Sequence, residues 1–255
     1  MTSRITGLSA IAVLVTAGAA AADAPRSTAP LGTDGRIPVL LVAGSDAFHD
    51  WRRTTPQLRA MLEEGGRFDV RVVEYAEALG TAALTRRYCT IILNGQTASA
   101  SPALRRNLAH YVRTGGGLVA IHWAIDNFRS WPGFTDVLGR SWQEGRSIEE
   151  HGSFHVVPDA GSTHPITRGL QPWDTVPGEA IHYQLRGGDE IDVLATAASL
   201  QTAQTVPVMI AHRYGRGRTF FTPLGHSVAA RADPHWQAMI LRAVEWTATG
   251  STGAR

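Results

Sequence analysis

Apolar and polar positions recur at two different periods along this chain. Four short runs hold no charged residue and read as buried: Val39–Val42, Thr90–Leu93, Leu118–Ile121 and Thr219–Thr222. That pattern predicts strands buried on both faces, as in a parallel sheet. The first run begins at Ile37 and ends at Gly44-Ser45. Thr55-Pro56 then supplies an N-cap and a first-turn proline. Leu58, Met61 and Leu62 form a helical stripe that Gly65-Gly66 stops. Phe68, Val70 and Val72 alternate with polar residues, which predicts an edge strand. Ser101-Pro102 opens a second helix with Leu104, Leu108, Tyr111 and Val112 on one face, and Gly115–Gly117 closes it. This rhythm predicts parallel strands joined by right-handed crossovers.

The middle of the chain breaks the rhythm. Trp131 to Glu150 reads as irregular, and Ser153 to Ala197 as short strands with little helix signal. Val206–Arg213 and Arg218–Pro223 flank Tyr214-Gly215-Arg216-Gly217, the pattern of a hairpin. Asp233-Pro234 then caps a long helix that buries Trp236, Met239, Ile240, Ala243, Val244 and Thr247, with Gly250 at its end. The expectation is an α/β domain over residues 37–250, with a mostly parallel sheet, flanking helices and an antiparallel extension.

Residues 1–24 stand apart from this pattern. Arg4 precedes an apolar, small-residue run from Ile5 to Ala22, and Ala22-Asp23-Ala24 fits a secretory cleavage site. The expectation is a cleaved signal, a periplasmic or secreted protein, and no stable membrane insertion. Residues 25–36 read as a flexible leader and 251–255 as a flexible tail. The rest of the 255-residue chain suits one domain with a substantial core. Cys89 is the only cysteine, so no intrachain disulfide can form. It sits at a strand's start and reads as a buried, inert thiol. Net charge is +2, and the arginines are scattered rather than clustered. That argues against a nucleic-acid partner.

The candidate chemistry lies where the strands end. Three of the four buried runs lead to His49, His122 or His226, and the fourth to Asn94-Gly95. Ligands of open α/β sheets bind outside the carboxyl ends of the strands. Imidazole suits proton transfer or metal ligation near neutral pH. His49 reads either as a base or ligand, oriented by Asp50, or as part of a loop leading into a helix. His122 occupies a turn like a nucleophile elbow but brings no Ser or Cys. Gly225 permits the turn that aims His226 at the crevice. Glu149, Glu150, His151 and His155 form a polar cluster from which His151 is the residue most apt to reach the site. Glu179 and His182 flank a short strand and can supply a carboxylate and an imidazole. His164, before Pro165, reads as structural. His110, His212 and His235 read as ordinary. Trp51, Trp123 and Trp142 suit either sugar stacking or core packing.

Taken together, Phe48-His49-Asp50, Gly115 to His122, His164-Pro165-Ile166-Thr167, Tyr214-Gly215-Arg216-Gly217-Arg218, Leu224-Gly225-His226 and Glu245-Trp246-Thr247-Ala248 resemble the trehalose-utilisation (ThuA-like) family. The resemblance implies a flavodoxin-like, class I glutamine-amidotransferase-like fold. It also implies a role in using trehalose or disaccharides oxidised to 3-keto sugars. It implies loss of the amidotransferase cysteine, since His122 holds that region, and so no glutamine hydrolysis. The chain departs from the family pattern at Gly178-Glu179, where an Asp-Glu pair is usual.

The expected protein is thus a carbohydrate-active enzyme with a small carbohydrate ligand. His49, His122 and His226 are its acid/base groups or the ligands of one divalent metal, zinc or similar. Asp50, Trp51, Asn94, Trp123, His151 and Glu179 are expected around the substrate. A non-catalytic sugar-binding or sensing protein and a metal-dependent amide or ester hydrolase are the alternatives.

Overall fold

The structure, a computed structural model, describes residues 30–44, 49–188 and 190–253. The expected signal segment 1–24 lies outside them, as do Ser45 and Phe48. Among the described residues no helix is long and apolar enough to cross a membrane.

The strands are β1 (Ile37–Val42), β2 (Phe68–Val73), β3 (Thr90–Leu93), β4 (Gly117–Ile121), β5 (Ile148–Gly152), β6 (His155–Pro158), β7 (Trp173–Asp174), β8 (Glu179–Tyr183), β9 (Asp192–Ala198), β10 (Thr205–Tyr214) and β11 (Gly217–Thr222). The α-helices are α1 (Trp51–Glu64), α2 (Ala82–Thr85), α3 (Pro102–Arg113), α4 (Phe134–Leu138), α5 (Val228–Ala232) and α6 (Pro234–Thr249). Nine strands form one sheet in the order β2-β1-β3-β4-β11-β10-β9-β6-β7, while β5 and β8 pair separately. From β2 to β11 all neighbours are parallel; from β11 to β7 they are antiparallel. This is the expected mixed α/β architecture, with β2 at the edge.

The continuous apolar runs follow from a sheet covered on both faces. In β1, Val39 and Leu41 pack with Leu58, Leu62, Met239 and Ile240 of α1 and α6. Leu40 and Val42 of the same strand pack on the other face, with Leu104 and Leu108 of α3 and Phe134 of α4. Period-2 side-chain direction assigns each residue to one layer, so a strand with two buried faces has no polar alternation. Ser101 caps α3 by accepting the amide of Leu104, and Asp233 caps α6 by accepting those of His235 and Trp236. Gly250 ends α6 in the left-handed region at φ 85°.

Three expectations need correction. Helix α1 starts at Trp51, not at Thr55, and Pro56 lies inside it. Trp51-Arg52-Arg53-Thr54 has no apolar periodicity, so the early turn is invisible to pattern reading. The stretch from Trp131 to Glu150 is not wholly irregular, since it holds α4 and the start of β5. His151, expected to reach the site from a loop of this irregular middle, lies on a strand, β5.

Candidate functional site

Strands β1, β4 and β11 are parallel, so their carboxyl ends share one edge of the sheet. His49 follows β1, His122 follows β4 at once, and His226 follows β11 after a short turn. The structure brings all three together. His122 Nε2 lies 3.0 Å from His49 Nε2 and 2.9 Å from His226 Nδ1. His122 is buried and sits at φ 53°, a left-handed conformation that costs a residue with a Cβ. Its Nδ1 donates to the Pro223 carbonyl at 2.7 Å. A carbonyl oxygen only accepts, so Nδ1 carries the proton and the Nε2 lone pair faces the other two rings. Burial, reinforced by the neighbouring His182 and His49, pushes the His122 imidazolium well below the ordinary imidazole range. Burial and the nearby His49 and His151 also push His226 down.

A separate two-stranded arm closes over this trio. In the β5–β8 pair, Glu149 stands directly opposite His182. Alternation puts Glu149 and His151 on the cleft face and Glu150 on the other. Glu149 Oε1 is 3.4 Å from His182 Nε2 and 4.0 Å from His122 Nε2, and Oε2 is 3.4 Å from His151 Nε2. Burial pushes the Glu149 carboxyl up, but the bonds and charge of His182 and His151 outweigh it and hold Glu149 below its ordinary range. Burial pushes His182 down. The pair is therefore best described as a carboxylate accepting the Nε2 proton of a neutral imidazole. His182 Nδ1 is then a buried lone pair with no hydrogen-bond partner. The His182 ring stacks on His122 with centroids 5.1 Å apart, and it also contacts Trp123 and Trp142.

Above these groups is a cleft of about 420 Å³ lined by His49, Gln96, Trp123, Arg129, Glu149, His151 and His226. Its far wall is a polar chain. Asp126, buried after β4, accepts from both Gln96 and Arg129, and Arg129 also reaches Glu144 at 3.3 Å. The cleft thus joins imidazoles and a carboxylate on one side, an aromatic platform at Trp123 and neutralised polar groups opposite. That combination can bind a polyhydroxylated ligand and move protons on it.

Four of the expected ligand-contacting residues lie elsewhere. Glu179 is buried with both oxygens engaged: Oε2 accepts the amide of Gly225, and Oε1 those of Ala180 and His226, each at 2.9 Å. Burial raises its carboxyl, and those amides oppose the rise. Glu179 therefore holds the turn that carries His226. Arg231 grips the same turn from the other side, its Nε donating to the Gly225 carbonyl at 2.8 Å. Asn94 is buried too. It donates to Thr55 Oγ1 at 2.9 Å and accepts from Arg231, joining β3 to α1 and α5. Asp50 stands exposed before α1, 3.6 Å from Arg53, and Trp51 lies under Arg52. Neither lines the cleft. His155 pairs with Asp174 at the surface, and His164 packs edge-on against Trp246.

Pattern reading placed Glu149 in a polar cluster without assigning it to the site. The signal was there: Glu149 and His151, two apart with Glu150 between them, form one face of a strand. Glu150 turns away and accepts from Ser199, Leu200 and Gln201.

Comparison with known proteins agrees with this fold. The ThuA family, described as trehalose utilisation, matches residues 38–247. The chain belongs to the ThuA family. Among solved structures, a ThuA-like protein from Parabacteroides merdae superposes with a TM-score of 0.76 at 25% identity, over 86% of this chain and 92% of that one. A ThuA-like protein from Bacteroides uniformis gives 0.67 at 18% identity, covering 91% and 95%. A β-galactosidase from Rahnella sp. R3 shares the fold at a TM-score of 0.56 and 17% identity, over 84% of this chain but 31% of that enzyme. No curated protein matches the chain. Membership in the ThuA family supports a role related to trehalose utilisation.

Proposed function

We propose that this ThuA-family protein is an enzyme that processes a disaccharide glycoside, in the first instance one oxidised to a 3-keto sugar, in the cleft above His122. The meeting of His49, His122 and His226 beside Trp123 carries this reading. A ketone acidifies the adjacent C–H bond. One imidazole lone pair takes that proton, and the C–H electron pair becomes an enolate. Collapse of the enolate expels the glycosidic oxygen from the next carbon, and the proton taken up passes between the touching imidazoles to that oxygen, which leaves as the alcohol. No covalent enzyme intermediate is needed, in keeping with the absence of Ser or Cys at the His122 turn. Trp123 offers its face to a sugar ring, and the Gln96 and Asp126–Arg129 wall offers polar partners to hydroxyl groups. Convergent lone pairs favour chemistry over passive binding, because a binding site needs donors and acceptors spread around the ligand rather than gathered at one point.

The test is incubation of the purified protein with a panel of native and oxidised glycosides, read by mass spectrometry. The expected result is conversion of a keto-disaccharide that falls at least about a hundredfold in His122→Ala and His226→Ala, the usual scale for loss of an acid/base group. Turnover that survives both substitutions unchanged would refute the assigned roles.

A further inference from the structure

We infer that His49 Nε2, His122 Nε2 and His226 Nδ1 form a three-histidine site for one divalent first-row metal ion, zinc or a close relative, with its open coordination position facing the cleft. The inference deepens the functional reading of the same cleft, on which the role of the ion rests. The existence of the site stands on donor geometry alone.

The hydrogen bonds around His122 are in conflict. His122 has spent its only proton on Pro223, so Nε2 offers one lone pair and no donor. Two other imidazole nitrogens crowd that single lone pair, at 3.0 and 2.9 Å. With all three rings neutral, one of the neighbours can donate to it. The other must then either share that one lone pair in a weaker three-centre bond or face it with a lone pair of its own. A cation among the three nitrogens removes the conflict, because each lone pair then points at positive charge.

The distances suit such an ion. With metal–nitrogen bonds of about 2.0–2.1 Å, ligand atoms lie about 3.3 Å apart in a tetrahedron and about 2.9 Å apart at adjacent octahedral corners. The 2.9 and 3.0 Å spacings fall at that end of the range. All three donor atoms lie within 4.8 Å of one another. Three protein ligands with a free position is the pattern of a catalytic rather than a structural metal site.

The outer groups fit as well. Ligating histidines ordinarily donate their second ring N–H to a carbonyl or carboxylate, which fixes the tautomer. His122 does so with Pro223. The His226 turn is locked by Glu179 through two amides and by Arg231 through the Gly225 carbonyl. Gly225 sits at φ 102°, and a Cβ there would meet Trp236 Nε1 at 2.7 Å, so the turn has one available shape. His122 itself holds a left-handed conformation at φ 53°. Backbone strain of this kind persists where the surroundings dictate a side-chain direction. Glu149 Oε1, 4.0 Å from His122 Nε2, stands just outside ligand contact and is placed to handle a proton beside the open position. With the three lone pairs on the ion, Glu149 rather than an imidazole takes the substrate proton, and the ion would polarise the substrate carbonyl and so ease its removal.

The experiment is metal analysis of the purified full chain by plasma mass spectrometry, before and after chelation and after loading with Zn(II) or Co(II). The expected outcome is about one ion per chain, as a three-ligand site requires, and a visible d–d absorption from the Co(II) form. Both should be lost in the His122→Ala/His226→Ala double variant. Near-UV circular dichroism checks that this variant is folded, and His110→Ala on the surface of α3 should keep the ion. Glu179→Gln, which removes no ligand residue but loosens the turn that carries His226, should weaken Zn(II) binding about 10- to 100-fold in a chelator competition. A folded protein that takes up no stoichiometric zinc or cobalt would overturn the site, as would metal that persists in the double variant. Keto-sugar turnover undiminished by complete chelation would also remove the ion from the reaction while leaving the functional reading intact. Stoichiometric metal with no turnover or binding of any oxidised glycoside would do the reverse.

Discussion

Replacing Glu179 by glutamine isolates the support of His226 from its chemistry. The side chain keeps its shape, so no cavity opens. What changes is the acceptor count. The carboxylate receives three backbone amides, those of Ala180, Gly225 and His226, each at 2.9 Å. An amide has one oxygen, and its –NH2 end must face at least one of these donors. At least one buried N–H then loses its partner, which costs about 1–3 kcal/mol. Removing a buried charge offsets part of this. A net loss of about 1–2 kcal/mol should lower Tm by roughly 2–8 °C in a chain of this size. Glu150 supplies the matched control. It accepts from Ser199, Leu200 and Gln201 on the face of β5 turned away from the cleft. In Glu150→Gln the oxygen keeps both amides and the new –NH2 donates to the Ser199 hydroxyl, so that variant should cost less stability and leave turnover intact, whereas Glu179→Gln should also lower kcat through a displaced His226. Thermal unfolding followed by circular dichroism, with turnover measured well below the transition, reads both. Equal turnover in the two variants, or a Glu179→Gln protein as stable as the parent, would refute the reasoning.

Gly225→Ala should lower turnover and cost about 1–2 kcal/mol on denaturant unfolding, because φ 102° disfavours a Cβ that also meets Trp236. A fully active, equally stable variant would show that the turn has slack. Trp123→Ala should weaken disaccharide binding about tenfold by calorimetry, from a lost stacking contribution of about 1–1.5 kcal/mol; unchanged affinity would remove Trp123 from the ligand surface. Burial pushes His164 from 6.5 down to about 4. The unfolded chain binds that proton first, so the stability His164 contributes is whole above pH 6.5 and declines as pH falls toward 4. Partial exposure reduces the full effect to about 1–2 kcal/mol, and His164→Gln should flatten this limb in urea midpoints taken at pH 7 and 4.5. Arg218→Met should lower Tm by roughly 3–12 °C, since the buried guanidinium donates to the Trp246 and Thr247 carbonyls that end α6 and even one hydrogen bond to a charged group contributes about 1.5–3 kcal/mol.

The strands, most helices and the histidines at the strand ends were legible because their signals are local. A strand between two helical layers has no alternating polar face, and Val39–Val42 and Thr90–Leu93 show that without any partner in view. Parallel strands share a carboxyl edge, so the order strand-then-histidine already placed His49, His122 and His226 on one side of the sheet. Their contact at 2.9–3.0 Å was decided only by the fold. The same holds for the arm that completes the site. Glu149 and His182 are separated by more than thirty positions, and only the register of β5 against β8 sets them opposite each other. Glu179 and Asn94 carry the right chemistry for a ligand, yet the amides of Gly225 and His226 and the guanidinium of Arg231 claim them first. Residue type and periodicity determine which face a side chain takes along its own element. Which polar partner satisfies it depends on groups brought near by the packing of other elements, and that information exists only in three dimensions.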